Sequence, residues 1–346
     1  MRVASNSVQR GRLTHREYIE GVLAGDRVVL ARAITLIESE LPSDAELAAK
    51  LLDGILPHTG KAHRIGITGI PGAGKSTFID AFGMHLIREY KQKIAVLSVD
   101  PSSPISGGSI LGDKTRMERL SVENNAFIRP SPARGHFGGV ARTTRETILL
   151  CEAAGFDNIV VETVGVGQSE TAVRSMTDFF LLITIAGGGD ELQVMKRGII
   201  ELVDAIAVNK ADSDNECNAE RARAEYSNAL RLFRPNANGW SPRVVATSAV
   251  TARGIAEILK MIVEHRTLLE STGVLAAHRR AQSLEWMRDL IVSRLEDLFR
   301  TDAQVAKRLP ELEDAVRDGT MTAFSAAHEL LAVFTRSEAD AIRRAD

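Results

Sequence analysis

The run Gly69-Ile70-Pro71-Gly72-Ala73-Gly74-Lys75-Ser76, followed by Thr77, has the residue types and spacing of a phosphate cradle. Glycines let successive backbone N–H groups turn inward around phosphate oxygens, and the start of the following helix adds partial positive charge. A lysine at position 75 reaches the β- and γ-phosphates, and a Ser76 hydroxyl suits Mg²⁺. The context agrees. An apolar run, Ile65 to Thr68, precedes the loop, and Phe78, Ile79, Phe82, Leu86 and Ile87 follow at helical spacing.

A second group of residues reads a base. Asn209-Lys210-Ala211-Asp212 follows the apolar run Ala205 to Val208. An Asp212 carboxylate accepts from the ring N–H and exocyclic amine of guanine, whereas adenine offers no matching donors. Ser248-Ala249-Val250 follows the last apolar run, where backbone N–H groups suit guanine O6. With the phosphate loop, these segments predict binding of GTP and GDP rather than ATP.

Three further segments bear on the phosphoryl group. Glu162-Thr163-Val164-Gly165 ends an apolar run where nucleotide hydrolases commonly carry D-x-x-G. There the acid holds a Mg²⁺-bound water and the Gly165 N–H meets the γ-phosphate; glutamate, one methylene longer, reaches through water. Asp100 and Asp113 lie along one long connection and are candidate Mg²⁺ ligands, with Arg116 beside them to neutralise charge on the transferred group. Taken alone, each of these is more often a solvated loop charge; the nearby phosphate loop brings the two readings level. Gly187-Gly188-Gly189-Asp190-Glu191-Leu192-Gln193 leads to Lys196, a second candidate cation on a glycine-rich loop.

The elements that must position these groups follow from periodicity. Short apolar runs at Ile65–Thr68, Ile94–Val99, Asn158–Val161, Phe179–Ile185, Ala205–Val208 and Arg243–Ala246 alternate with helical stretches. This pattern predicts an α/β fold, a largely parallel sheet with helices on both faces and ligands at the strands' carboxyl ends. Helices extend it at both ends. Thr14 with Glu17, Asp26, and Ser43 with Glu46 are the expected caps of three N-terminal helices, and Gly60 suits their exit. After about residue 270, Leu284, Met287, Ile291, Leu295 and Leu298 form a narrow apolar stripe; the helices that follow either pack on the sheet domain or, as the narrow stripe suits better, pair with a second copy of the chain. Pro310 is expected to break or restart the next helix and Gly319 to end it. The domains read as a helical extension over 1–60, a nucleotide domain over 61–270 and a helical dimerisation arm over 271–346.

Length and composition set the outer bounds. The 346 residues favour two domains, or one with extensions, and 44% hydrophobic with 25% charged residues is the balance of a globular chain. Lys and Arg number 43 against 45 Asp and Glu, a net charge of −2, so no field favours nucleic acid or anionic membrane. No apolar run approaches the roughly 20 residues of a membrane span. The two cysteines, Cys151 and Cys217, make no disulfide framework, and a cytoplasmic location is expected.

Taken together, the phosphate loop, Asp100-Pro101-Ser102-Ser103, Asp113-Lys114-Thr115-Arg116-Met117, Glu162 to Glu170, Gly189 to Gln193 and Asn209 to Asp212 resemble the MeaB/ArgK GTPases. These are G-protein chaperones of adenosylcobalamin-dependent acyl-CoA mutases, chiefly methylmalonyl-CoA mutase. The resemblance implies a P-loop G domain with a C-terminal dimerisation arm and a role in gating cofactor loading and protection of a mutase. It also implies that Lys75 and Ser76 serve phosphate and Mg²⁺, and that Asp100, Asp113 and Glu162 support the metal. Arg116 then belongs to a first switch and Asp190 to Lys196 to a segment facing the mutase. None of the eight histidines has Asp two residues before it, so the D-x-H-x-x-G pattern that holds cobalamin is absent, and no direct cobalamin binding is expected. Two other readings stand beside this one: a kinase or ATPase acting on a periplasmic amino-acid transport system, and a metal-insertion GTPase.

Overall fold

The computed structural model describes residues 13–39, 41–99, 116–130, 137–163, 169–187, 197–231 and 238–345. They form two compact units that part between Arg279 and Arg280.

The first unit is built on a parallel sheet whose seven described strands lie in the order β3-β2-β4-β1-β5-β6-β7. The strands are β1 (His63–Gly69), β2 (Ile94–Val99), β3 (Ala126–Pro130), β4 (Asn158–Thr163), β5 (Phe179–Ile185), β6 (Ala205–Asn209) and β7 (Arg243–Ala246). Strands β2 and β4 are buried at every position, as a sheet covered on both faces requires. Register sets the functional end of the sheet: Ile67 lies opposite Glu162, Gly69 opposite Ile183, and Ile185 opposite Asn209. The phosphate loop therefore leaves the central strand, with the ends of β4, β5 and β6 close by.

Helices α1 (His15–Leu23), α2 (Arg27–Ile37) and α3 (Pro42–Ile55) share the core of this sheet through Tyr18, Val22, Leu30, Ile34, Leu51 and Ile55. Thr14 and Glu17 make the expected reciprocal cap of α1, and Asp26 accepts from the Val28 and Val29 N–H groups to cap α2. The third cap differs. Helix α3 starts at Pro42, whose fixed φ suits the first helical position, so Ser43 lies within the first turn rather than capping it. That helix ends at Ile55, well before Gly60. Strand β3 was not among the expected runs. It is a short edge strand containing Arg129 and Pro130, and its apolar signal spans only Ala126 to Ile128.

Far from the phosphate loop, the amino-terminal ends of β1 and β5 are stitched by Arg279. Its guanidinium donates to both Asp178 oxygens at 3.0 and 2.6 Å, and to the Gly60 and Ala62 carbonyls at 2.6 and 2.8 Å. Burial, the largest single influence, would raise the Asp178 carboxyl, but the hydrogen bonds and charge of Arg279 together with Arg64 outweigh it and hold the group below its ordinary value. Nearby, His265 is buried edge-on to Phe179 and Trp240, with Nε2 3.7 Å from Asp204. Burial first, then the Arg174 charge, pushes its pKa from 6.5 down to about 4, and burial followed by Arg266 does the same to His63. The unfolded chain thus takes up protons near pH 6.5 that the fold refuses until about pH 4. Stability is complete above that window and falls as pH drops through it, by up to about 1.4 kcal/mol per pH unit for each group. Thermal unfolding followed from neutral to acid pH tests this, and His265→Phe should flatten the slope by one group; an unchanged slope would refute the assignment.

In the second unit, α12 (Ala303–Arg317) and α13 (Ala323–Ala345) enclose a small core of Val305, Leu312, Ala326 and Leu330. Helix α11 (Val274–Thr301) contributes Phe299, whose ring meets Phe334 edge-on at 5.5 Å. Pro310 does not break α12 as expected. Val305, Leu309, Leu312 and Val316 pack on both sides of it, and that burial offsets the lost hydrogen bond of about 3 kcal/mol. Gly319, at φ 70°, follows the helix end as expected. Among the described residues, no helix is long and apolar enough to cross a membrane.

Candidate nucleotide site

The phosphate loop runs from the end of β1 into α4 (Lys75–Tyr90). Two of its glycines are required by space as well as by conformation. A Cβ at Gly69 (φ 153°) would lie 2.1 Å from the Ile183 carbonyl oxygen, and one at Gly74 (φ 86°) 2.7 Å from Asn209 Nδ2. Ala73 is buried, whereas Pro71 and Gly72 are exposed at the tip. Ile70 is buried and Thr77 exposed.

Lys75 sits inside the curl, donating to the Gly69 carbonyl at 2.7 Å and the Ile70 carbonyl at 3.3 Å. Burial lowers its pKa, Glu162 opposes that shift, and the Arg116 charge adds to it. Arg116 is thus close enough to be felt at the ammonium, although it lies 41 residues along the chain and is itself exposed. Glu170, buried at the start of α7 (Ser169–Arg174), also acts on Lys75 electrostatically, and the sequence reading gave it no role of its own. Its only signal was membership of the Glu162–Glu170 run.

Glu162 is buried, and the Ser76 hydroxyl donates to its Oε1 at 3.2 Å. A hydroxyl and a carboxylate therefore converge at the amino terminus of α4, a hard-oxygen pair that fits Mg²⁺. Beside them Thr163 Oγ1 meets Thr68 Oγ1 at 2.9 Å, locking the ends of β4 and β1 together. Asp100, Asp113, Gly165 and Lys196 lie outside the described residues.

The base-reading segments converge on one loop pair. Asn209 is buried and its Nδ2 donates to the Ala73 carbonyl at 2.8 Å, so it braces the phosphate loop. Lys210 is exposed with φ 59°, which turns the chain sharply after β6. The Ser248 hydroxyl donates to Asp212 Oδ2 and accepts the Thr251 N–H at 3.1 Å, fixing the plane of the carboxylate. Ala249 is buried next to it and Val250 is exposed. Ala211 N–H donates to the Thr247 carbonyl at 2.9 Å and Thr247 N–H to the Val208 carbonyl at 2.8 Å, tying the two loops into a single unit. An acceptor pair held in this way beside a phosphate cradle suits a guanine nucleotide.

Comparison with known proteins identifies the class. The family described as "Methylmalonyl Co-A mutase-associated GTPase MeaB" matches residues 30–304. The chain belongs to the MeaB GTPase family. GTPase ArgK of Escherichia coli is 52% identical over 275 residues, spanning 80% of this chain and 83% of that protein. The mitochondrial methylmalonic aciduria type A homolog of Mus musculus is 45% identical over 324 residues, spanning 91% of this chain and 78% of that protein. A crystal structure described as a LAO/AO transport system kinase has a TM-score of 0.73 at 39% identity, covering 94% of this chain and 99% of that one. The MeaB-family chain is therefore a P-loop GTPase, with the parallel sheet and helical extensions expected of it.

Proposed function

We propose that this GTPase uses its nucleotide state to gate cofactor loading and protection of an adenosylcobalamin-dependent acyl-CoA mutase. The observation that carries the reading is the family match over residues 30–304, together with a nucleotide site whose motifs agree with it. The cobalamin stays with the mutase, and this chain supplies the switch.

In this mechanism Lys75 and the backbone N–H groups from Gly69 to Thr77 hold the phosphates. Asp212, with Lys210, Asn209, Ser248, Ala249 and Val250 around it, selects guanine. Ser76 would hold Mg²⁺, with Glu162, Asp100 and Asp113 supporting its waters; when bound, the ion neutralises charge on the β- and γ-phosphate oxygens. Gly165 N–H meets the γ-phosphate. Arg116 and Lys196 neutralise charge developing on the transferred phosphoryl group, and hydrolysis rises when the partner binds. The test is mutase reconstitution: GTP hydrolysis measured with and without apo-mutase, alongside cofactor transfer into the mutase. Stimulated hydrolysis linked to transfer supports the reading. The kinase reading, which the name of the solved relative favours, instead requires labelled γ-phosphate to appear on an acceptor protein; that result, with no mutase effect, would displace ours.

Assembly is part of the proposal. Leu284, Met287, Ile291 and Leu295 project from one side of α11 with 51–55% of their surface exposed. Covering the exposed half of such side chains contributes about 1 kcal/mol each, from both protomers, before ordering costs, which favours a dimer. A homodimer through this stripe is expected, and Ile291→Glu should shift sedimentation to the monomer while GTP binding persists. A wild-type monomer at tens of micromolar would refute it.

A further inference from the structure

We infer that Asp80 is a positioning residue for hydrolysis: it latches α4 to α5 (Glu118–Ser121) and so fixes the segment that carries Arg116. The inference rests on the assignment of Arg116 to the transferred phosphoryl group made above.

The latch has three parts. The Asp80 carboxylate is buried, accepting Arg119 Nε on one oxygen at 2.6 Å and the Leu120 backbone N–H on the other at 2.8 Å. Leu120 and Met117 are wholly buried, and Leu120 fills the space left by Gly83, where an added Cβ would lie 2.7 Å from Leu120 Cδ1. Ser121 N–H donates to the Met117 carbonyl at 2.9 Å, which carries the turn back to the residue next to Arg116. Position, backbone orientation and packing of the segment are all referred to α4.

The placement on α4 gives the latch its purpose. Asp80 is one turn beyond Ser76, on the same face of the helix. The helix that presents Ser76 to Glu162 therefore also holds the segment bearing Arg116, so Ser76 and Arg116 keep one frame of reference. Stability alone is a weak reason for this pair. Arg119 is half exposed, and a buried carboxylate with one such partner gains little over an apolar contact of the same size. What the carboxylate adds is direction, because its two oxygens address a side chain and a backbone N–H from the same segment.

The test compares full-length wild type with Asp80→Asn, Arg119→Gln, Arg119→Lys, Arg116→Ala and the Asp80→Asn/Arg116→Ala double variant. Steady-state GTP hydrolysis gives kcat and KM, and a fluorescent non-hydrolysable GTP analogue gives Kd. Asp80→Asn should lower kcat about 10-fold or more, since small misplacements of a catalytic group have effects of that order. KM and Kd should stay within about 2-fold, because phosphate and base contacts are intact. Arg119→Gln should show the same split, with part of the loss restored in Arg119→Lys. In the Arg116→Ala background, Asp80→Asn should change kcat by less than about 2-fold, the non-additivity of residues acting through one another. Equal losses in both backgrounds, or a Kd that worsens with kcat, would overturn the inference. A slowed Arg116→Ala enzyme beside an unaffected Asp80→Asn enzyme overturns the inference alone, whereas an unaffected Arg116→Ala enzyme overturns the Arg116 assignment and the inference with it. If Asp80→Asn does not fold, the half-exposed Arg119 variants decide the question by the same kcat and Kd criteria.

Discussion

Lys75→Ala should reduce GTP hydrolysis by about 10³-fold or more while leaving the fold intact. The side chain is the first residue of α4 and reaches the Gly69 and Ile70 carbonyls at 2.7 and 3.3 Å, so its ammonium lies within the loop that surrounds the phosphates. In phosphoryl transfer the protein contributes mainly position and charge, and a cation at this place acts where negative charge is densest. Alanine is a strong helix former and the lost carbonyl contacts are local, so the melting temperature should change little. Burial already holds the Lys75 pKa below its ordinary value, with Glu162 opposing that shift and Arg116 reinforcing it; a phosphate ligand removes part of the cost of keeping the ammonium charged. Lysine is thus a poor choice for stability here and a good one for binding triphosphate. Turnover of Lys75→Ala within tenfold of wild type would mean that this ammonium is not the group that serves the phosphates.

The contrast between this residue and Asp80 shows what sequence reading can and cannot reach. Lys75 stands in a contiguous loop whose glycine spacing has a direct geometric cause, and Asn209 to Asp212 follows an apolar run that marks a strand end. Both are local patterns. The strands of the sheet were legible for the same reason, down to the ends of β2, β5 and β7. Strand β3 was missed because five edge residues with one arginine and one proline give almost no periodic signal. Pro310 misled in the opposite direction: its local cost is real, but packing on both sides of it keeps the helix together. The Asp80–Arg119 latch pairs residues 39 positions apart and the Arg279–Asp178 fork residues 101 apart. Such pairs leave no trace in either segment alone, because the charge that satisfies each group arrives only with the fold. Asn209 was legible as a candidate for the nucleotide site, yet its hydrogen bond to the Ala73 carbonyl could come only from the structure.

Asp212→Asn should convert a guanine-selective enzyme into one that prefers xanthine nucleotides. Guanine presents two donors, a ring N–H and an exocyclic amine, to the two oxygens of a carboxylate. With asparagine one of those oxygens becomes an NH₂, which confronts the exocyclic amine donor to donor. Xanthine carries a carbonyl at that position and accepts from the NH₂ instead. Leaving a buried donor without its acceptor costs about 1–3 kcal/mol, more where the lost acceptor was charged, so GTP affinity should fall by about 10²-fold. XTP should gain in the same measure, and selectivity is the ratio of the two. The loop geometry makes the exchange clean. Ser248 donates its hydroxyl to Asp212 Oδ2, and the remaining amide oxygen of an asparagine can take that bond while the NH₂ faces the base. Ser248 is itself fixed, since Thr251 N–H donates to its Oγ at 3.1 Å and its own N–H donates to the Arg253 carbonyl at 3.0 Å. The substitution therefore changes the chemistry of one atom without releasing the loop. Calorimetric titration of the variant with GTP, XTP and ATP separates the outcomes. A variant that still prefers GTP, or a wild type that binds ATP as well as GTP, would place guanine recognition elsewhere in the chain. A variant that loses every nucleotide equally would instead show that Asp212 holds the loop in shape, with the base read by the backbone around Ala249.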